Sequence, residues 1–377
     1  MRFSRGFALA AVGATALAGA WLTAGPALAS PPSGPTFLGP LNFSKKIAST
    51  VPANGDVNPY GVAVVDQTEG RLHRGNILVS NFNNKKNQQG TGSTIVQITP
   101  GGHQTLFAHI SRRGLPGPCP GGIGLTTALV IVHGWIIVGS TPSVGGDPAT
   151  AKAGCLLVLD RWGRVRETFF GHGINGPWDA TAVSHGWRAS LFVTNVLNGT
   201  VAAGGNVVNK GTVLRIALRF FPNHDHLLPQ MTGFTIVGSN FAQKTDPDAF
   251  VIGPTGVGIG PYGSLYVADT VNNRIMVIHN ALTRQTSSGV GTLVTSAGFL
   301  NGPLGLAIAP NGNIITANGG DGRIVETTPF GGQIETKFGD KSGNPPGAGA
   351  LFGLAIAPNG TDLYYVDDAN NTLRLLF

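Results

Sequence analysis

Short apolar runs bounded by glycine, proline and asparagine recur along the second half of the chain. The clearest stretch covers residues 253–280 and reads GPTGVGIGPYGSLYVADTVNNRIMVIHN. Runs of this length, rich in β-branched and aromatic residues, indicate strands and not helices. The stretch therefore predicts three strands, over residues 255–259, 264–268 and 274–278, joined by two tight turns.

The same unit returns at residues 302–325 and 351–376, and weaker copies begin near Pro59, Thr126 and Trp178. A repeat of about fifty residues with four strands each is typical of a propeller blade. The pattern predicts an all-β protein, a six-bladed β-propeller with four-stranded antiparallel blades, as a single domain over residues 36–377.

The last blade of this ring is incomplete, because the chain ends at Phe377 after its third strand. A missing fourth strand would leave an exposed sheet edge, which native proteins avoid. Residues 41–49 have a strand-like composition and precede the first blade. We therefore expect this N-terminal strand to close the last blade.

Composition agrees with many short strands joined by turns. Of the 377 residues only 11% are charged, while 57 are Gly and 25 are Pro, which argues against disorder. The net charge is +7, yet the longest basic runs are the pairs Lys45-Lys46, Lys85-Lys86 and Arg112-Arg113. A nucleic-acid surface gathers Lys and Arg on one face. The scattered pattern predicts no nucleic-acid partner.

The first residues have the pattern of a targeting segment. Arg2 and Arg5 precede an apolar run over residues 7–24, and Ala27-Leu28-Ala29 is a small-x-small cleavage site. We predict a signal peptide over residues 1–29, a flexible leader over 30–35 and a periplasmic or secreted, monomeric protein without a membrane segment after cleavage. A membrane anchor is the competing interpretation, because the apolar run is nearly long enough to span a bilayer.

The chain has two cysteines, Cys119 and Cys155. An even number of cysteines in an exported chain suggests a disulfide. The blade assignment puts Cys119 in the connection into the second blade and Cys155 at the start of that blade's third strand, on the same face. The alternative to a disulfide is that both cysteines are buried thiols.

The repeat G-P-x-G-[LV]-[AG]-I-x-P-x-G-x-[LI]-x-[VT]-A-[DN]-x-x-[ND]-x-R-I, found at residues 253–278 and 302–325, resembles the NHL repeat. The resemblance implies a six-bladed ring. It also implies relatives with different functions: secreted sensor domains that bind proteins, the peptidyl-amidating and streptogramin lyases, and the gluconolactonase and paraoxonase propellers. The enzymes among them place metal ligands or catalytic His and Glu at the mouth of the central channel.

The first strand of each blade enters the ring at that mouth. In this sequence the entering residues are Tyr60, Thr126 or Thr127, Trp178 with Asp179, Thr255, Leu304 and Phe352. This set has one carboxylate and neither His nor Glu, whereas Ca²⁺ takes six to eight oxygen ligands. The best candidate metal ligands are Asp179 and Asn175; Ca²⁺ is possible, and no cofactor is firmly implied. The motif His224-Asp225-His226 is predicted to be a solvated loop.

Asp179 replaces a glycine that four other blades share, at Gly61, Gly256, Gly305 and Gly353. A buried carboxylate at a channel mouth would have a perturbed pKa, which is typical of functional groups. Alternatively, Asp179 accepts backbone N–H bonds where the strand enters the ring. The sequence leaves both interpretations open.

Three loops between second and third strands are longer than the repeat requires, at residues 82–93, 141–153 and 196–211. They fall on one face of the ring, and function is concentrated on elaborated loops held by rigid scaffolds. We therefore predict a module that binds a protein, peptide or glycan, with Tyr60, Trp178, Asp179, Thr255 and Phe352 lining its site. The alternative is a metal-assisted lyase or lactone hydrolase at the channel mouth.

Overall fold

The computed structural model describes residues 35–222, 227–247 and 249–377. The predicted signal peptide, leader residues 30–34 and the His224-Asp225-His226 motif lie outside the described residues. Residues 35–377 form one unit. No helix among the described residues is long and apolar enough to cross a membrane.

Twenty-five strands and four three-residue 3₁₀ turns make up the described fold. In chain order the strands are β1 (Ser44–Ser49), β2 (Val57–Val64), β3 (Ile77–Asn83), β4 (Thr94–Ile98), β5 (Gln104–His109), β6 (Leu125–Val132), β7 (Trp135–Ser140), β8 (Cys155–Leu159), β9 (Val165–Phe169), β10 (Pro177–His185), β11 (Arg188–Asn195), β12 (Val208–Arg219), β13 (Gln230–Asp246), β14 (Phe250–Ile252), β15 (Pro254–Ile259), β16 (Leu265–Asp269), β17 (Arg274–Ile278), β18 (Thr292–Ser296), β19 (Pro303–Ile308), β20 (Ile314–Asn318), β21 (Arg323–Thr327), β22 (Gln333–Phe338), β23 (Leu351–Ile356), β24 (Leu363–Asp367) and β25 (Thr372–Leu376). The 3₁₀ turns are Pro148–Thr150, Val201–Ala203, Pro261–Gly263 and Thr270–Asn272.

The strands form six antiparallel sheets: β2–β5, β6–β9, β10–β14, β15–β18, β19–β22, and β23–β25 with β1. The first strands β2, β6, β10, β15, β19 and β23 pack against one another in this order, and β23 returns to β2. The sheets are therefore blades around a closed ring, which confirms the predicted six-bladed propeller.

The third blade differs from the prediction. Strand β13 runs far beyond the expected residues 233–237, and β14 folds back on it as a fifth strand. The triplet Gly238-Ser239-Asn240 has the composition of a turn, but it forms a bulge in which Asn240 takes a φ of 64° and the strand continues. Such bulges add a residue and bend the strand without ending it.

The ring closes as expected. Strand β1 pairs antiparallel with β25, from Ser44 opposite Leu376 to Ser49 opposite Thr372. Phe43 and Phe377 extend the ladder by two backbone hydrogen bonds of 3.0 and 2.9 Å. The predicted closing strand over residues 41–49 is thus confirmed, with its first paired residue at Ser44.

A buried carboxylate fixes the segment that leads into β1. Glu326, on β21, is fully buried and accepts four hydrogen bonds. The backbone N–H groups of Phe37 and Leu38 each donate at 2.8 Å, and the amides of Asn311 and Asn313 donate at 3.2 and 2.7 Å. Glu326 therefore attaches the start of the described chain to the fifth blade.

Cys119 and Cys155 are joined by a disulfide with a Cα–Cα distance of 5.2 Å. It links the connection between β5 and β6 to the first residue of β8. The bond therefore ties the entry into the second blade to the end of that blade's long loop.

Replacing Glu326 by Ala should lower the free energy of unfolding by about 3 kcal/mol, because the change leaves several buried donors without an acceptor. Urea unfolding at neutral pH measures the difference. Glu69→Ala is the control, since Glu69 forms a partly exposed ion pair with Arg161 at 3.3 Å and such pairs contribute about 0–1 kcal/mol. Equal stability losses in the two variants would contradict the anchoring role of Glu326.

Candidate functional site

The six first strands surround a central cavity of about 380 Å³. Its walls are mainly aliphatic and small side chains: Val62, Leu129, Ala180, Val257, Leu306 and Leu354. At Gly305 and Gly353 neighbouring strands approach so closely that a Cβ would meet the carbonyl oxygens of Phe352 and Tyr60. Glycine is needed at these positions because the inner strands crowd the axis.

Asp179 occupies the corresponding position on β10, where its carboxylate accepts two backbone hydrogen bonds. Its Oδ1 accepts the backbone N–H of Ala180 at 2.8 Å, and its Oδ2 accepts that of Val257, in the next blade, at 3.1 Å. Burial raises the pKa of Asp179 to about 7, although both backbone donors act in the opposite direction. The carboxylate therefore bridges the third and fourth blades and also has the perturbed pKa expected of a functional group.

The aromatic residues predicted at the mouth lie together in a stacked cluster. The ring centroid of Tyr60 is 4.0 Å from that of Phe352, 4.4 Å from that of Phe82 and 6.1 Å from that of Trp178. Phe250 packs edge-on against Phe82 at 5.3 Å. All five side chains are at most 6% exposed. This aromatic plug, comprising Tyr60, Phe82, Trp178, Phe250 and Phe352, covers the entrance end of the channel.

Sequence reasoning missed Phe250 and Phe82 as members of the plug. Phe250 reaches it from the β13–β14 hairpin with a φ of 63°, a conformation that is rare for a bulky residue. The available signal was the apolar triplet Phe250-Val251-Ile252, which directly precedes the glycine that starts the fourth blade.

The remaining predicted residues have structural partners. Thr255 is fully buried, and its hydroxyl contacts that of Thr270 at 2.6 Å. Asn175 donates from its side-chain amide to Leu197 O and to Asn198 Oδ1, both at 3.1 Å. In the described structure, Asn175 and Asp179 form no hydrogen bond to a common residue. Among the described residues, no three His, Cys, Asp or Glu side chains are grouped to hold a metal.

A second carboxylate with a raised pKa lies beside the plug. Burial, together with the neighbouring Asp367, raises the pKa of Asp368 to about 7. The pKa of Tyr60 is raised by burial and, to a smaller extent, by the charge of Asp368. Asn58 lies two residues before Tyr60 in the chain, and its Oδ1 is buried without a hydrogen-bond partner in the described structure. Sequence reasoning passed over Asp368 because its neighbour Asp367 matches the repeat.

The three long loops form one connected surface, which we call the loop cap: residues 84–93, 141–154 and 196–207. Ser143 N donates to Gly90 O at 2.9 Å, which joins the loops of blades one and two. Gln89 Nε2 donates to Pro247 O at 3.0 Å, and Gln243 Nε2 donates to Asn198 O at 2.7 Å. Strand β13 thereby connects the loops of blades one and three.

Comparison with known proteins supports the fold. No protein-family model matches the sequence, and no curated protein matches it. Among solved structures, the chain is similar to a luciferin-regenerating enzyme, with 13% identity over 88% of this chain and 94% of that one and a TM-score of 0.55. It is also similar to regucalcin from Agrobacterium tumefaciens str. C58, described as a calcium-binding protein, with 13% identity over 88% and 93% and a TM-score of 0.55.

Identities this low establish a shared architecture and no more. Together with the ring of six sheets, they define the chain as a six-bladed β-propeller.

The raised pKa of Asp179 should appear in the pH dependence of stability. In an unfolded chain an Asp titrates near pH 3.9. Between that pH and about 7, the folded state holds a proton that the unfolded state has released. This contribution therefore lowers the free energy of unfolding as pH rises through this window, by up to about 1.4 kcal/mol per pH unit.

Asp179→Asn should flatten that decline, because the amide does not titrate. Urea unfolding at several pH values between about 4 and 8 gives the two slopes. Asp66→Asn, at an exposed position, should leave the slope unchanged. Asp368 and Glu167, whose pKa values burial also raises to about 7, account for a residual slope. Parallel profiles for the wild type and Asp179→Asn would contradict the assignment.

Proposed function

We propose that this chain is an exported NHL-type β-propeller that acts as a binding module, and that it takes a protein, peptide or glycan ligand on the loop cap. The observation that carries the proposal is the difference between the two halves of this face. Blades four to six join their second and third strands by the four-residue turns 270–273, 319–322 and 368–371. Blades one to three use the long, mutually bonded loops of the cap.

The aromatic plug supports a ligand on the surface of this face. Tyr60, Trp178 and Phe352 fill the entrance to the channel and pack against one another. A ligand that approaches from this side therefore meets the cap before it meets the channel. Rigid scaffolds that present elaborated loops are a common way to build a recognition surface.

The sequence supports the other parts of the proposal. The repeat at residues 253–278 favours the NHL type, and the charged, apolar and small-residue segments of residues 1–29 favour export to the periplasm or the exterior. The last blade is completed by β1 of the same chain, so closing the ring needs no strand from a second copy, which fits a monomer.

A metal-assisted lyase or lactone hydrolase is the second candidate. Two observations favour it: the charge of Asp368 acts on the hydroxyl of Tyr60, and Asn58 lies two residues before Tyr60 in the chain. Carboxylate and amide oxygens are ligands that Ca²⁺ accepts, and Asn58 Oδ1 has no partner in the described structure. Asp368 and Asn58 are therefore candidate ligands in addition to the predicted Asp179 and Asn175.

The binding function can be tested by placing charge on the cap. Val144 and Val207 are exposed apolar residues, at 64% and 51%, on two of its loops. The double variant Val144→Asp/Val207→Asp should lose about tenfold in affinity for any glycan or peptide that labelled mature protein selects on arrays. Leu293→Asp, at a 53% exposed position on the outer strand β18, should bind as the wild type does.

Two results would contradict the binding module. One is array binding that the cap variant leaves unchanged. The other is stoichiometric Ca²⁺ that is lost in Asp368→Asn and is required for turnover of a lactone, which would establish the enzyme.

A further inference from the structure

The arginines of the regular blades are neutralised by neighbouring aspartates. Arg274 Nε lies 2.7 Å from Asp269 Oδ2, Arg323 Nε lies 3.6 Å from Asp321 Oδ2, and Arg374 Nη1 lies 3.9 Å from Asp367 Oδ2. These pairs recur because the repeat places an acidic residue shortly before the arginine that starts the third strand. On this face, the third strand of each of blades four to six therefore carries an arginine with an acidic partner, whereas the exposed Lys341, between blades five and six, lies over the ring of Phe338.

The same face of blades one to three has a different charge pattern. Its exposed cations have no ion-pair partner among the described residues: Lys85, Lys86, Arg112, Arg113, Lys152 and Lys210. The only acidic residue in the three loops of the cap is Asp147, which accepts a hydrogen bond from Ala149 N at 2.8 Å. Lys244, on the adjacent strand β13, pairs with Asp246 at 3.2 Å.

The fold brings these cations, which lie in separate parts of the sequence, to one face of the ring. The side chain of Arg112 lies by Gly122, that of Lys152 by Gly121, and that of Lys85 by Gly55. The Cys119–Cys155 disulfide joins the segment that carries Arg112 and Arg113 to the end of the loop that carries Lys152. The positive surface is therefore held in place before any ligand arrives, which lowers the cost of ordering it on binding.

We propose that the loop cap, together with the adjoining residues Arg112, Arg113 and Lys210, binds an acidic polysaccharide, whose carboxylate or sulfate groups pair with these cations; this inference rests on the proposed binding function. Cations spread over three blades suit a polymer with repeated negative charges better than a single small anion. The cations attract an extended polyanion, and no row of acidic groups in the three loops opposes that attraction.

The uncharged residues of the cap favour a polysaccharide over other polyanions. None of its three loops contains an aromatic residue, and single-stranded nucleic acids are bound largely by stacking of bases on aromatic rings. Protein interfaces also rely on aromatic anchors. Asn206 and Asn209 are exposed amides at the edge of the cap, and an amide can both donate to and accept from sugar hydroxyls.

The test measures binding of polygalacturonate and heparin to mature protein, with dextran as the neutral polymer and single-stranded DNA as the competing polyanion. Lys85→Gln/Lys86→Gln and Arg112→Gln/Arg113→Gln should each weaken binding of an acidic polysaccharide by about tenfold. Lys45→Gln/Lys46→Gln removes the same charge from exposed positions on β1 and should change the affinity less than twofold. Raising the salt concentration should weaken wild-type binding.

The inference is overturned if the three double variants bind the acidic polymers equally well, or if single-stranded DNA binds more tightly than they do. It is also overturned if the cap binds only neutral glycans or peptides, and if this binding is weakened by Val144→Asp/Val207→Asp but not by loss of the cations. In that case the proposed binding module still stands. If the arrays yield no ligand sensitive to the cap variant, the proposed function itself fails.

Discussion

The pairing of β1 with β25 is the contact on which the ring depends. It joins residues near the two ends of the described chain, from Ser44 to Leu376, so the last blade is complete only when the whole ring has formed. Without β1, strand β25 would present a free edge, with unpaired N–H and C=O groups. Glu326 reinforces this closure from the fifth blade, because it accepts the backbone N–H groups of Phe37 and Leu38.

Closure of the ring also sets the properties of its centre. Six first strands meet around a narrow axis, so backbones crowd at Gly305 and Gly353. In the third blade, Asp179 occupies the position that corresponds to these glycines. Its carboxylate accepts a hydrogen bond from the backbone N–H of Val257 and remains buried. Above it, the aromatic plug fills the entrance. The entrance to the central cavity is thus filled by packing, and the accessible variation on this face lies in the loops outside it.

Much of this architecture could be predicted from the sequence, because a blade is a local pattern repeated along the chain. The repeat at residues 253–280 specifies strand, turn and strand, and the incomplete last blade implies a closing strand. The plug could not be predicted, since Phe250 reaches Phe82 of the first blade from a hairpin in the third blade. The β13–β14 hairpin that carries Phe250 could not be predicted either, because Gly238-Ser239-Asn240 has the composition of a turn but forms a bulge within β13. The cationic surface is likewise scattered in sequence and gathered only by the fold.

Hydrogen exchange followed by mass spectrometry tests the ring closure most directly, because it reports how each strand opens in the native protein. If β1 completes the last blade, those amides of Ser44–Ser49 that bond to β25 should be as protected as the amides of Thr372–Leu376 and should exchange only when the whole ring unfolds. Rapid exchange of the β1 amides, with β25 still protected, would contradict the account.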